Sequence, residues 1–336
     1  MDFLSDKALA RLREAEEWPD FSATRYTLRE FLARGGMGIV YLAQDQVLDR
    51  RVAIKILDSA DLDGALAERL NKEARVLAQL EHPGIVPVHD AGTLSDGHVF
   101  YVMKFVEGAR LDQVLASVAS LAERLRLFLR ICDSVSFAHS RGILHRDLKP
   151  SNIMIGAFGE VLVMDWGLAK ILEPDATSNS RPAVSSGALL SSSNTAPARS
   201  SGATQDGIAM GTPGFMSPEQ AAGKSADLDE RSDIFSLGKL LEFIARPAAN
   251  QDSARLSRAL QAICDKAAAV NRTQRYGRVA ELARDVSRFL DGAPVSAHRE
   301  NPWERSLRFY HRYQAAILLI AMYLLMRTLF ALYSRR

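Results

Sequence analysis

The stretch Ile143-Leu-His-Arg-Asp-Leu-Lys-Pro-Ser-Asn152 constrains this chain more than any other. It places an acid (Asp147), a base (Lys149) and an amide (Asn152) within a few residues, between the apolar pairs Ile143-Leu144 and Ile153-Met154. The pattern reads as two short strands holding a polar loop, and such a loop can aim three side chains at one point. The set suits phosphoryl transfer. A carboxylate orients a hydroxyl, an ammonium neutralises phosphate oxygens, and an amide oxygen holds a metal. The plainer alternative is a polar surface turn, which Pro150 and Ser151 would also suit.

A chain of 336 residues, 47% apolar and 24% charged, has ample core for one large domain or two lobes. Its formal net charge of +2 implies no general attraction to nucleic acid. The two cysteines, Cys132 and Cys264, lie far apart on predicted helices without metal-ligand spacing, and read as reduced core residues of a cytoplasmic domain. The first residues have no basic start followed by an apolar run, so no signal peptide is expected.

In chain order, residues 4–18 read as a short charged helix within an extension covering 1–25. Tyr26 to Tyr41 then reads strand, glycine turn, strand. Glycines let backbone N–H groups approach phosphate closely, although a plain hairpin turn would use them equally well. A dinucleotide site needs a helix after the glycines, whereas here Ile39–Ala43 and Val52–Leu57 read as strands. The hairpin is therefore expected to lie over a nucleotide. Lys55 sits mid-strand among apolar neighbours, where a lysine needs a partner. The helical pattern of Ala65 to Leu80 offers Glu73; the bland alternative for both is solvated charge. Ile85–Gly92 and Val99–Lys104 read as further strands, and Gly108 as the start of a connector. Ala122 to His139 reads as a long amphipathic helix feeding the opening loop. After Asn152, a hairpin-like pair presents Asp165-Trp166-Gly167. An acid at a strand end before glycine suits a metal ligand, or equally an ordinary turn. Residues 177–206, rich in Ser, Ala, Gly and Thr, read as a flexible insertion. Helices are expected over Asp229–Ile244, Leu256–Ala269 and Val279–Leu290.

Residues 291–312 form a basic linker to an apolar tail at 313–334. The tail's apolar residues marginally outweigh the roughly 3 kcal/mol that a central Arg costs, and Arg327 lies past the midpoint, where it can snorkel outward. The expectation is a single membrane span, with an interfacial or partner-binding helix as the alternative. Arginines at 299, 305, 308 and 312 place the main domain on the cytoplasmic side. The expected location is the inner membrane, or the cytoplasm if the tail does not span.

As a series, these motifs are far more specific than any one of them. The chain resembles eukaryotic-type protein kinases, particularly the bacterial Ser/Thr group, over roughly residues 26–290, through its Gly-Gly-Met-Gly loop, His-Arg-Asp-Leu-Lys-Pro-Ser-Asn and Ser-Pro-Glu-Gln. The resemblance implies an α+β, two-lobed fold: a small, mostly antiparallel β N-lobe (26–107) with one main helix, and a larger α-helical C-lobe (108–290). It implies ATP as phosphate donor with Mg²⁺ (or Mn²⁺) and proteins with Ser/Thr acceptors as substrates. Leu32, Ala33, Arg34, Gly35, Gly36, Met37 and Gly38 belong to the loop over the phosphates. Lys55 contacts the α- and β-phosphates and pairs with Glu73. Asp147 orients the substrate hydroxyl, Lys149 neutralises the γ-phosphate, and Asn152 and Asp165 hold the metal ions. Leu32, Val40, Ala53, Met103, Val106 and Met154 enclose adenine, with hinge backbone at Lys104–Val106. Thr212 helps set the Ser/Thr preference beside Asp147. Glu219 and Arg275 form a buried ion pair, and Asp233 is a further structural acid in the helical lobe.

Three departures stand out. Ala33 replaces the usual first glycine, Trp166 replaces the usual Phe after the metal-binding Asp, and the chain between Ile244 and Leu256 is short where a substrate-docking helix is usual. Arg146, beside Asp147, implies control by phosphorylation of the activation segment, with Ser201 and Thr204 as acceptors and self-association of membrane-held copies as the route. The alternative is a membrane-anchored pseudokinase scaffold with weak or no transfer.

Overall fold

β-Branched residues at alternating positions build the first layer. In the computed structural model, which describes residues 18–35, 38–57, 78–118, 120–166, 214–223, 228–246, 256–298, 318–327 and 333, five strands form one antiparallel sheet in the order β1-β2-β3-β5-β4. They are β1 (Tyr26–Gly35), β2 (Gly38–Asp45), β3 (Arg50–Leu57), β4 (Val88–Thr93) and β5 (Val99–Lys104). β3 lies at the centre of the sheet, and Val52, Ala53, Ile54, Lys55 and Ile56 are all buried. One face packs a core of Tyr26, Tyr41, Val52, Ile54, Phe100 and Val102. The other face therefore carries the intervening residues, Ala53 and Lys55 among them.

Gly38, the first residue of β2, has no room for a side chain. Gly38 has φ +140°, and a Cβ placed on it would lie 2.0 Å from the Ile56 carbonyl oxygen. A Cβ on Gly35 meets nothing within 4 Å. Gly38→Ala is thus expected to destabilise the fold by about 1–3 kcal/mol. Gly35→Ala should stay within about 0.5 kcal/mol of wild type. Denaturant midpoints of the two variants check this, and equal midpoints would refute it.

A second, three-stranded antiparallel sheet follows: β6 (Gly108–Arg110), β7 (Ile153–Gly156) and β8 (Val161–Val163). Gly108 thus opens a strand rather than a bare connector. Among the described residues, four long helices carry most of the larger core: α1 (Leu121–Ser140), α2 (Glu230–Ala245), α3 (Arg258–Ala267) and α4 (Val279–Leu290). α1 buries Leu125, Phe128, Ile131, Cys132, Val135 and Ala138, and packs against α2 and α4. α2 is capped by the Asp229 carboxylate, which accepts from the Arg231 N–H. Both cysteines are buried and free.

Three boundaries differ from expectation. Ile143-Leu144 is not a strand, for only Ile143 has bridge geometry. The next two peptide N–H groups, of His145 and Arg146, donate to the Asp233 carboxylate at 2.8 Å each instead of extending a ladder. β4 starts at Val88 rather than Ile85 because Pro87 has no N–H to donate; Ile85 makes an isolated parallel bridge to Val163. α3 starts at Arg258 because the Ser257 hydroxyl caps it, accepting from the Leu260 N–H. In the tail, residues 318–327 are helical. Among the described residues no helix is long and apolar enough to cross a membrane. Residues 1–17, the 177–206 insertion and the short 247–255 segment lie outside the described residues.

Candidate active site

The opening loop is held from beneath by one buried acid. Asp233, on α2, is 1% exposed. Its Oδ2 accepts from the His145 N–H and meets His139 Nε2 at 2.7 Å, while Oδ1 accepts from the Arg146 N–H. Burial would raise the Asp233 carboxyl, but bonds from His139 and the loop hold it below its ordinary range. On the other side of the peptide, Gln220 Nε2 donates to the Arg146 carbonyl at 2.6 Å. Arg146 itself has φ +68°. For an arginine that conformation is costly, and bonds to both of its peptide groups enforce it.

His145 ties this loop to the next. It is fully buried, and burial lowers its pKa, so the ring is neutral. Nε2 bonds the Met164 carbonyl at 2.9 Å and therefore carries the proton; Nδ1 accepts from the Asp147 N–H at 3.3 Å. The Trp166 ring packs on it, centroids 4.6 Å apart. Trp166 is 4% exposed and donates Nε1–H to the Val163 carbonyl. It is the large apolar anchor expected in place of Phe.

Three polar side chains converge on this frame. Lys149 Nζ lies 2.7 Å from Asp147 Oδ2. Asn152, at the end of a 3₁₀ turn begun by Pro150, donates Nδ2–H to the Asp147 carbonyl at 2.8 Å and to Asp147 Oδ2 at 3.2 Å. Those bonds commit the amide nitrogen and leave Oδ1 as the ligand atom. Asp165, with φ +63°, follows β8 and pairs with Lys55 from β3. Lys55 is 5% exposed. Burial would lower its pKa, yet Tyr101 and Asp165 beside it outweigh that and raise it. The site thus supplies a carboxylate and an amide oxygen, hard donors of the kind Mg²⁺ takes alongside phosphate oxygens and water, next to a fixed cation. These donors fit the metal and nucleotide that the sequence pattern implies.

Of the expected adenine residues, Met103, Val106 and Met154 pack in one apolar cluster with Val86 and Leu162. Ala53 is buried and pairs across strands with Met103, as Val40 pairs with Lys55. Lys104 ends β5 and donates its N–H to the Pro87 carbonyl. Ala33, Arg34 and Gly35 lie exposed on β1, and Leu32 is 38% exposed, apart from that cluster. Gly36, Met37, Glu73, Ser201, Thr204 and Thr212 lie outside the described residues. The expected brace is present: Arg275 Nη1 and Nη2 reach Glu219 Oε1 and Oε2 at 2.6 and 2.9 Å. His145, Gln220 and Tyr101 had not been singled out. Tyr101 is legible as a strand residue, but only the β3–β5 register sets it beside Lys55; His145 and Gln220 carried no signal beyond membership of a motif.

A family model described as "Protein kinase domain" matches residues 26–293. The chain belongs to the protein kinase family. It is 32% identical over 325 residues, covering 83% of this chain, to the serine/threonine-protein kinase PknD of Protochlamydia amoebophila. It is 35% identical over 312 residues to the protein of that name from Chlamydia trachomatis, covering 80% of this chain. It spans 32% of the length of each of these kinases. Among solved structures it is similar to the Mycobacterium tuberculosis PknI kinase domain, with TM-score 0.56, 25% identity, and coverage of 80% of this chain and 97% of that one. A second structure of that domain matches with TM-score 0.55 and 24% identity over 79% of this chain and 96% of that one. The kinase fold places the five-stranded sheet in the N-lobe and helices α1–α4 in the C-lobe.

Proposed function

We propose that this chain is a serine/threonine protein kinase that transfers the γ-phosphate of ATP, with Mg²⁺, to protein hydroxyls. The observation that carries the reading is the convergence of Asp147, Lys149 and Asn152 on one loop, with Asp165 facing Lys55 across the cleft. When bound, the metal ion neutralises charge on the phosphates. The protein's own groups do the rest. Asp147 orients the acceptor hydroxyl and takes its proton. Lys149, already at that carboxylate, offers its ammonium to the phosphate oxygens. Lys55 holds the phosphate chain, and Met103, Val106 and Met154 enclose the base. The kinship with PknD supports protein rather than small-molecule acceptors.

Regulation follows the same line. Arg146, pinned through both of its peptide groups, is proposed to read phosphate placed on Ser201 or Thr204 by a second copy, with Thr212 shaping acceptor choice. The apolar tail is proposed to anchor the chain: Leu318, Leu319, Ile320, Leu324 and Leu325 are all at least half exposed on their helix, a surface that hydrocarbon would cover. Retention in the membrane fraction after alkaline carbonate extraction is the expected result. For the activity, the full chain is mixed with labelled ATP, Mg²⁺ and a generic basic protein. Label in the protein or in the chain itself supports the reading, and ATP binding without transfer would move the chain to the scaffold class.

A further inference from the structure

We propose that the Tyr101 hydroxyl positions the Lys55 ammonium for its work on phosphate. The proposal rests on the protein-kinase reading above, and its test separates the two.

The sheet register brings the groups together. On β3 and β5, Lys55 pairs with Tyr101 and Ala53 with Met103. Alternate residues share a face, so Tyr101 lies on the nucleotide side, one step deeper than Met103. Its ring centroid is 6.0 Å from Lys55 Nζ. The residue is 7% exposed, and it lines a cavity of about 20 Å³ whose polar wall is Tyr101 and Asp165, the rest being residues such as Leu80, Val86 and Trp166. A buried phenol needs a partner, and the β3–β5 register sets the Lys55 side chain beside this one on the same face. Burial raises the Tyr101 phenol to about 12, so it is a neutral O–H at neutral pH. Its oxygen can accept from the ammonium without competing for its charge.

That arrangement answers a problem in the site. A lysine on a four-carbon stem has many rotamers, and the ion pair with Asp165 holds Lys55 only while that carboxylate faces it. Asp165 is also the implied metal ligand. Once its oxygens turn to a cation, the phenol holds Lys55 from within the sheet, in addition to the pairing with Glu73 that the family resemblance implies. A phenylalanine would fill the same space without doing this.

The experiment is a double-mutant cycle on the full chain between Lys55→Met and Tyr101→Phe. It reads kcat, MgATP affinity by calorimetry and the unfolding midpoint. Tyr101→Phe alone is expected to lower kcat about tenfold, near the low end for one hydrogen bond to a charged group. It should weaken MgATP binding about threefold and leave the midpoint unmoved. With Lys55 already replaced, the same change is expected to alter neither quantity further. Wild-type kcat and affinity in Tyr101→Phe would overturn the proposal. So would an equal loss in the Lys55→Met background, which would make the phenol a structural part only. If the wild type binds MgATP but transfers nothing, the kinase reading fails, and the affinity half of the cycle still decides the role of Tyr101.

Discussion

Asp147→Asn is expected to lower turnover by on the order of 10²–10⁴-fold, the usual loss when an acid–base group is removed. The substitution keeps shape and size but removes the basic oxygen that meets Lys149 at 2.7 Å. The loop should survive it, because its frame is made by other atoms. The His145 and Arg146 N–H groups go to Asp233, the Arg146 carbonyl to Gln220, and Asn152 bonds the Asp147 backbone carbonyl as well as the side chain. The unfolding midpoint and MgATP affinity should therefore stay near wild type while kcat falls, the pattern of an interaction made in the transition state. Phosphate transfer measured under saturating MgATP checks this. A variant within threefold of wild-type kcat would remove Asp147 from the proposed chemistry.

How much of this was legible beforehand differs by element. α4 was placed at both ends, Val279 to Leu290, because its apolar face repeats cleanly and Gly292 follows it closely. β3 and β5 read as strands from their β-branched and aromatic runs, but the Lys55–Asp165 pair was not legible, since the sequence offers Glu73 as the partner of Lys55 and Asp165 as a metal ligand. Ile143-Leu144 misled because two apolar residues satisfy a strand pattern locally. The N–H groups that follow it, of His145 and Arg146, are claimed by Asp233, 88 and 87 positions away in the chain, and no local pattern reveals such a partner. Gly108 misled in the same way, since its strand exists only by pairing with Gly156. Tyr101 was readable as a strand residue but not as a neighbour of Lys55, for which the β3–β5 register is required.

The brace between Glu219 and Arg275 should matter to stability as much as Asp147 does to turnover. Arg275 is 5% exposed. Besides its two bonds to Glu219, it donates to the Ala269, Arg231 and Val270 carbonyls and stacks 5.0 Å from the Phe235 ring centroid. Arg275→Met keeps the apolar stem but strands a carboxylate in a nearly dry site, which typically costs about 3–5 kcal/mol. Adding Glu219→Gln should recover part of that loss, because a neutral amide tolerates the missing cation better. Acid gives an independent readout. Burial favours the protonated Glu219, but bonds from Arg275, its own backbone and Ser232 prevail and depress its pKa from 4.5 to about 2. The unfolded chain therefore binds the proton more readily between those values, so the pair's contribution is complete above about pH 4.5 and drains away as pH falls toward 2. Wild type should lose stability across that window, and Arg275→Met should lose less across it. Denaturant titrations at pH 7, 4.5 and 3 measure both slopes. Parallel slopes, or an Arg275→Met variant as stable as wild type at pH 7, would show that the pair does not brace the helical lobe.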